Sequence, residues 1–205
     1  MKSLNQYIKE KLIINQRFDE KLIINKDYRE AKIVIKSFDE LRKIIEQRYE
    51  EQGPGTKQNP IDFNDIDVSN LYSFYSNDFY NNDRGLFSRT RFKYIDISYW
   101  DVSNITNMSY MFFDCKELES VVDIFSWDVS NVKDMSFMFY NCKKLKSVVD
   151  ISKWNVSNVT NMEFMFCNCE FFNQDLSDWD VSKVSYKLDV FDNCQIKNEY
   201  KPKFK

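Results

Sequence analysis

Self-similarity constrains this chain more than any other feature. The segment Trp100-Asp101-Val102-Ser103-Asn104-Ile105 returns as Trp127-Asp128-Val129-Ser130-Asn131-Val132, as Trp154-Asn155-Val156-Ser157-Asn158-Val159 and as Trp179-Asp180-Val181-Ser182-Lys183-Val184, at spacings of 27, 27 and 25 residues. Cys115, Cys142, Cys169 and Cys194 keep the same spacing, each 15 residues after its Trp. A period of this length marks repeat units that bury their apolar faces only by stacking on one another. A degenerate copy precedes the four: Asp67-Val68-Ser69-Asn70-Leu71 lacks the Trp, and Leu86-Phe87 stands where later units have Met-Phe. The last unit drifts at Tyr186, Lys187 and Asp189. Atypical first and last units are what a stacked array requires, because each end faces water.

Two periodicities alternate inside a unit. Trp127 and Val129 follow strand alternation. Met135, Met138, Phe139 and Cys142 then fall at i, i+3, i+4 and i+7, as do Met108, Met111, Phe112 and Cys115, and Met162, Met165, Phe166 and Cys169. That is the apolar face of a short helix, with Asn107, Asp134 and Asn161 placed to cap it. The expected fold is therefore an α/β repeat: a short parallel solenoid with one strand and one short helix per coil. Trp100, Trp127, Trp154 and Trp179, with the four spaced cysteines, should form a structural ladder at the roughly 4.7–4.9 Å spacing of paired strands.

Before the array, Ala31 to Ile35 reads as a strand, and Ser37-Phe38-Asp39-Glu40 is a capping box opening a helix to about Glu51. Leu41, Ile44, Ile45 and Tyr49 face inward on that helix, and Gly53-Pro54-Gly55 follows it. The expected organisation is an arm over 1–30, in which Glu-Lys-Leu-Ile-Ile-Asn occurs twice, and a strand–helix cap and linker over 31–60. The repeats occupy 61–194, and 195–205 is a basic tail with four Lys and one Glu.

Composition narrows the chemistry. With no histidine, the Ser-His-Asp and Cys-His systems and HExxH metal sites are excluded. Three glycines in 205 residues leave no P-loop or GxGxxG. Four of the five cysteines share one repeat position on an apolar face, which reads as packed thiols; bridges between neighbouring coils stay open, since strand spacing falls inside the Cα range of a disulfide. Cys167-Asn168-Cys169 is a single C-x-C pair, too little for a metal site. Asp101, Asp128 and Asp180 recur by unit, which argues for turn structure rather than an active site, and Asp62, Asn64, Asp65 and Asp67 lack the Gly and closing Glu of a calcium loop. Catalytic residues, cofactors and metals are not expected. Residues 53–194 hold 13 Lys+Arg against 21 Asp+Glu, a net charge of −8 that disfavours nucleic acid. No apolar run reaches the roughly 20 residues of a spanning helix, and the start lacks the apolar stretch of a secretory leader.

The motif W-D-V-S-N-V-x-[DN]-M-S-x-M-F-x-x-C, followed by Leu118, Leu145 or Phe172, resembles the BspA-like family of bacterial surface leucine-rich-repeat proteins. More narrowly it resembles their repeat class W-x-x-S-x-V-x-x-M-x-x-M-F. The likeness covers about residues 61–194, and the stretches S-F-D-E-L-R-K-I-I-E-Q-R and I-D-F-N-D-I-D-V-S-N are similar to the lead-in before such arrays. It implies a leucine-rich-repeat-like solenoid and a role in adhesion or partner binding, at the cell surface. The missing leader favours instead a cytoplasmic or phage-associated location, and the arm is similar to those of leaderless relatives.

The expected function is a non-catalytic, monomeric binding module, adhesin-like or scaffold-like, for an unidentified protein or other macromolecule. The alternative is an intracellular or phage-encoded interaction protein directed to an assembly by residues 1–30. Contact positions are sought where the repeat varies: Thr106, Lys133, Thr160 and Ser185, then Ser109, Ser136 and Glu163. The insertion from Tyr72 to Arg84 adds Tyr72, Phe74, Tyr75, Phe79 and Tyr80, aromatics of the kind enriched at interfaces.

Overall fold

Short parallel strands, one α-helix and three single-turn 3-10 helices (Ile124–Ser126, Ile151–Lys153 and Asn198–Tyr200) make up the regular structure of the described residues, and no barrel closes among them. In the computed structural model these residues are 32–76, 85–146 and 151–204, all within one compact unit; the expectations for 1–30 lie outside them. Strand β1 (Ile33–Val34) leads to helix α1 (Phe38–Gln52). Strands β2 (Ile61–Asp62), β3 (Ile66–Asp67), β4 (Tyr94–Asp96) and β5 (Ser120–Val122) follow. All pairings between these strands are parallel, β1 with β3, and β2–β4–β5 in register Ile61–Ile95–Val121; the single bridge Tyr75–Gly85 is antiparallel.

The helix forms where the capping box places it. Ser37 is its N-cap and accepts from the Glu40 amide at 3.2 Å, while the Glu40 carboxylate reaches back to the Lys36 amide at 3.0 Å. Leu41, Ile44 and Ile45 are buried and Tyr49 packs against the core. Gly53, with φ of 73°, ends the helix in a conformation that residues with a Cβ rarely adopt.

Inside the repeats the structure departs from the expected strand-plus-helix coil. Trp127-Asp128-Val129 is not a strand; the Val132 amide donates to Val129 O at 2.9 Å, closing a turn, as do the equivalent Val102–Ile105, Val156–Val159 and Val181–Val184 pairs. The β4 and β5 strands stand upstream of the tryptophans instead. Nor is the Met-Ser-x-Met-Phe stretch a helix. It is a run of four-residue turns, with Met111 N donating to Met108 O and Cys115 N to Phe112 O, and with left-handed φ at Tyr110 (59°) and Asp114 (58°). Phe137, Asn141, Phe164, Asn168, Asp189 and Asn193 repeat that conformation.

A turn with positive φ at its third residue has a period of four, so it places 108, 111, 112 and 115 inward as a helix would. The pattern alone does not separate the two. What decides is the destination of the other amides. Tyr110, Phe112 and Asp114 donate to Ser136 O, Met138 O and Tyr140 O of the next unit at 2.8–3.0 Å, rather than to a carbonyl four residues back. Single parallel bridges Ser73–Asn107–Asp134–Asn161–Tyr186 run alongside.

Like residues therefore stack on like. Phe87, Phe112, Phe139, Phe166 and Phe191 form a column, buried except at the half-buried Phe191, with centroids 5.2–5.7 Å apart and planes within 11°. Trp127 and Trp154 lie parallel at 6.3 Å. Each indole N–H also reaches back one unit: Trp100 to Phe63 O, Trp127 to Ile97 O, Trp154 to Ile124 O and Trp179 to Ile151 O, at 2.9–3.3 Å. The thiols copy this, Cys115 donating to Phe87 O, Cys142 to Phe112 O, Cys169 to Phe139 O and Cys194 to Phe172 O. Buried donors thus find partners in the preceding unit, which is what makes a polar atom tolerable inside an apolar spine.

The first unit has no predecessor, and α1 substitutes for one. The carbonyls of Leu86 and Ser88 are equivalent to those of Met111 and Phe113, which accept from Phe87 N and Arg89 N at 2.7 Å. The Arg42 guanidinium supplies the missing donors, to Leu86 O at 2.8 Å, Gly85 O at 3.0 Å and Ser88 O at 3.2 Å. Gly85 occupies the position of Tyr110; a Cβ there would stand 1.7 Å from Tyr110 O, so only glycine fits.

Candidate interaction face

Tyr72, Thr106, Lys133, Thr160 and Ser185 come together as one exposed row. The backbone sets it: Thr106 N donates to Tyr72 O, Lys133 N to Thr106 O, Thr160 N to Lys133 O and Ser185 N to Thr160 O, each at 2.9 Å. Two hydroxyls return to the same carbonyls, Thr106 Oγ1 to Tyr72 O at 3.2 Å and Thr160 Oγ1 to Lys133 O at 3.1 Å. Variable side chains are thus held at regular intervals by a repeated backbone.

Other expected contacts fall elsewhere. Phe74 is completely buried, its ring 5.6 Å from Trp100, because it occupies the inward position that Met108 and Met135 fill in later units. Ser109 and Ser136 are buried too, their hydroxyls donating to Asn107 Oδ1 and Asp134 Oδ1 at 2.7 Å. Glu163 is half-buried at the same position, its amide donating to Asn161 Oδ1. These Asn and Asp side chains close local turns rather than capping a helix. Tyr75 is half-buried beside Tyr110, and Phe79 and Tyr80 lie outside the described residues.

Sequence reasoning missed a second column. Tyr110, Phe137 and Phe164 are half-buried and stack at 4.7 and 4.9 Å. Beside them Phe113 and Tyr140 stack at 5.1 Å, with the Arg89 guanidinium 5.7 Å from the Phe113 ring. All three residues of the first column have left-handed φ, which costs an L residue about 1–2 kcal/mol. Four residues further on, Asn and Asp, which tolerate that region best, hold the left-handed positions at Asp114, Asn141, Asn168 and Asn193, with Arg89 in the first unit. The signal was readable: an aromatic recurs two residues after Met108, Met135 and Met162.

The thiols offer no reactive centre on this face. Burial pushes Cys115 up to about 12, and desolvation holds Cys142 and Cys169 well above the usual thiol range. All five cysteines are free thiols. Among the described residues no three His, Cys, Asp or Glu side chains converge to hold a metal, and no helix is long and apolar enough to cross a membrane.

A family model described as "Mycoplasma protein of unknown function, DUF285" matches residues 62–204. No curated protein and no solved structure matches the chain.

Proposed function

Because the chain belongs to the family described as Mycoplasma protein of unknown function, DUF285, we propose its role from its own surface: a non-catalytic repeat module that binds a macromolecular partner through one lateral face. In this reading the units form a short leucine-rich-repeat-like solenoid of the BspA-like kind. The face combines the row Tyr72–Thr106–Lys133–Thr160–Ser185 with the column Tyr110–Phe137–Phe164. The observation that carries the reading is the column, where aromatic side chains occupy left-handed positions at a conformational cost.

The test uses Phe137→Asn. The substitution forfeits ring contacts with Tyr110, Phe113, Tyr140 and Phe164, worth about 0.5–1.5 kcal/mol each, and relieves about 1–2 kcal/mol of backbone strain, so a net loss of up to about 4 kcal/mol is expected and the adduct is scored at a temperature where melting shows the variant folded. A photo-crosslinking side chain at Thr160 should give a discrete adduct in cells, and Phe137→Asn should reduce it at least tenfold. The same probe at Lys144, exposed and paired with Glu117 at 2.7 Å, should give none. Equal adducts from both positions, or no effect of Phe137→Asn, would refute the lateral face.

A further inference from the structure

No further Trp-Asp-Val-Ser segment follows Trp179 in this sequence, yet one side of the last unit is buried as if another unit lay over it. Leu176, Trp179 and Val181 end three columns that begin at Ile97, Trp100 and Val102. They are 1%, 5% and 4% exposed, against 0%, 4% and 1% for Ile151, Trp154 and Val156, which have a unit above them. The Phe column behaves otherwise: Phe191 is half-buried where Phe112, Phe139 and Phe166 are fully buried. One side of this end is closed and the other is not.

Residues 195–204 lie on the closed side. Ile196 and Pro202 are buried, and Tyr200 and Phe204 are half-buried against the core. Leu176 N donates to Tyr200 O at 2.8 Å, and Lys197 N to Asn173 Oδ1 at 3.1 Å. The lysines that mark a basic tail are its outward part, with Lys197 and Lys203 exposed. Locally the segment copies a unit. Its 3-10 turn at Asn198–Tyr200 is closed by Lys201 N donating to Asn198 O at 3.3 Å. Trp127 N and Trp154 N close the turns before them in the same way, on Ile124 O and Ile151 O at 3.2 and 3.1 Å. Extended backbone follows at Lys201 (φ −78°, ψ 138°) as at Trp127 (φ −63°, ψ 127°). Pro202 then has no N–H to leave unpaired.

We propose that residues 195–204 are a truncated unit, a strap that closes the Trp side of the last coil and keeps the chain from associating with a second copy through it. Units of an array bury their apolar faces only against one another. A bare Leu176–Trp179–Val181 end therefore pairs with the same end of a second copy. The opposite end of the stack offers no such surface, because β1 and α1 already cover it, with Ile35, Leu41, Ile44 and Ile45 buried. The strap is held by two backbone amides and a few side chains rather than by a full set of rungs, so it opens before the units do. This inference is separate from the lateral face and stands or falls without it.

The experiment compares the full chain with its double variant Ile196→Asp, Pro202→Asp. Hydrogen exchange at the Leu176 amide should be at least tenfold faster in the variant. Met135 N, which donates to Asn161 O at 3.0 Å inside the array, should keep its protection. Acrylamide should quench more of the tryptophan fluorescence than in the parent, and adding Trp179→Phe should remove that gain. Sedimentation should show a monomeric parent and a variant that dimerises as its concentration rises. Gln195→Asp with Lys203→Asp, both at exposed positions, should match the parent in all three measurements. If Met135 also loses protection, Phe204→Ser is the milder variant, with the same acceleration expected at Leu176. Equal exchange at Leu176 in parent and variant would overturn the proposal. So would a released strap with no change in sedimentation, or a parent that self-associates as the variant does.

Discussion

Arg42→Ala is the sharpest probe of how the array begins. The guanidinium makes three hydrogen bonds to carbonyls of the first unit at 2.8–3.2 Å, from a side chain that is only 14% exposed. Hydrogen bonds to a charged group are worth about 1.5–3 kcal/mol net, and a stranded buried carbonyl costs about 1–3 kcal/mol. The three bonds share one charge, and water reaches part of the vacated space, so they do not add in full. A loss of roughly 3–5 kcal/mol follows, equivalent to about 6–20 °C in melting temperature for a chain of this size. Urea titration followed by tryptophan fluorescence measures it, since Trp100, Trp127, Trp154 and Trp179 are all buried. Glu46→Ala is the control. Its carboxylate holds Arg42 Nε at 3.1 Å but is 60% exposed, and such pairs contribute about 0.3–0.5 kcal/mol. A loss below about 1 kcal/mol for Arg42→Ala would refute the idea that α1 stands in for a preceding unit.

Trp154→Ala should cost roughly 3–5 kcal/mol, because the indole stacks on Trp127 and donates to Ile124 O; exposed Lys153→Ala should stay within about 0.5 kcal/mol by the same titration. Hydrogen bonds from the Ser130 hydroxyl and amide hold the Asp128 carboxyl below its usual range. A lowered folded pKa gives stability that is present above the unfolded value near 3.8 and lost as pH falls below it. Asp128→Asn should flatten that part of the acid limb while keeping the turn, since Asn155 accepts the same bonds from Ser157. For Cys115 the sign reverses: a thiol raised to about 12 stabilises below the unfolded value near 9 and loses that contribution as pH rises between the two. Native protein at pH 8 should therefore leave Cys115, Cys142 and Cys169 unmodified by a thiol reagent that labels them fully in urea.

The parts of the fold legible in the sequence were those encoded by identity at fixed spacing. Trp and Cys at 27-residue intervals do stack or reach back by one unit, and Ser37 with Glu40 marks the start of α1. The conformation within a unit was not legible, because inward positions at 108, 111, 112 and 115 suit a helix and a run of four-residue turns equally. The one local discriminator was Asn or Asp at 114, 141, 168 and 193, residues at home in left-handed backbone. Phe74 misled because a tyrosine- and asparagine-rich insertion begins beside it, whereas its own backbone already belongs to the Met108 position. Arg42 carries no sequence mark at all. Its partners are main-chain carbonyls 43 to 46 residues away, and a carbonyl has no side-chain identity to read.

The three junctions that begin at Met108, Met135 and Met162 are wired identically, with the same amides leaving one unit and the same carbonyls receiving them in the next. Removing or duplicating a 27-residue segment in frame would leave every surviving junction matched and both termini untouched. Length is therefore a quantity that recombination within the gene can adjust in whole steps of about 4.8 Å, without first solving a new packing problem.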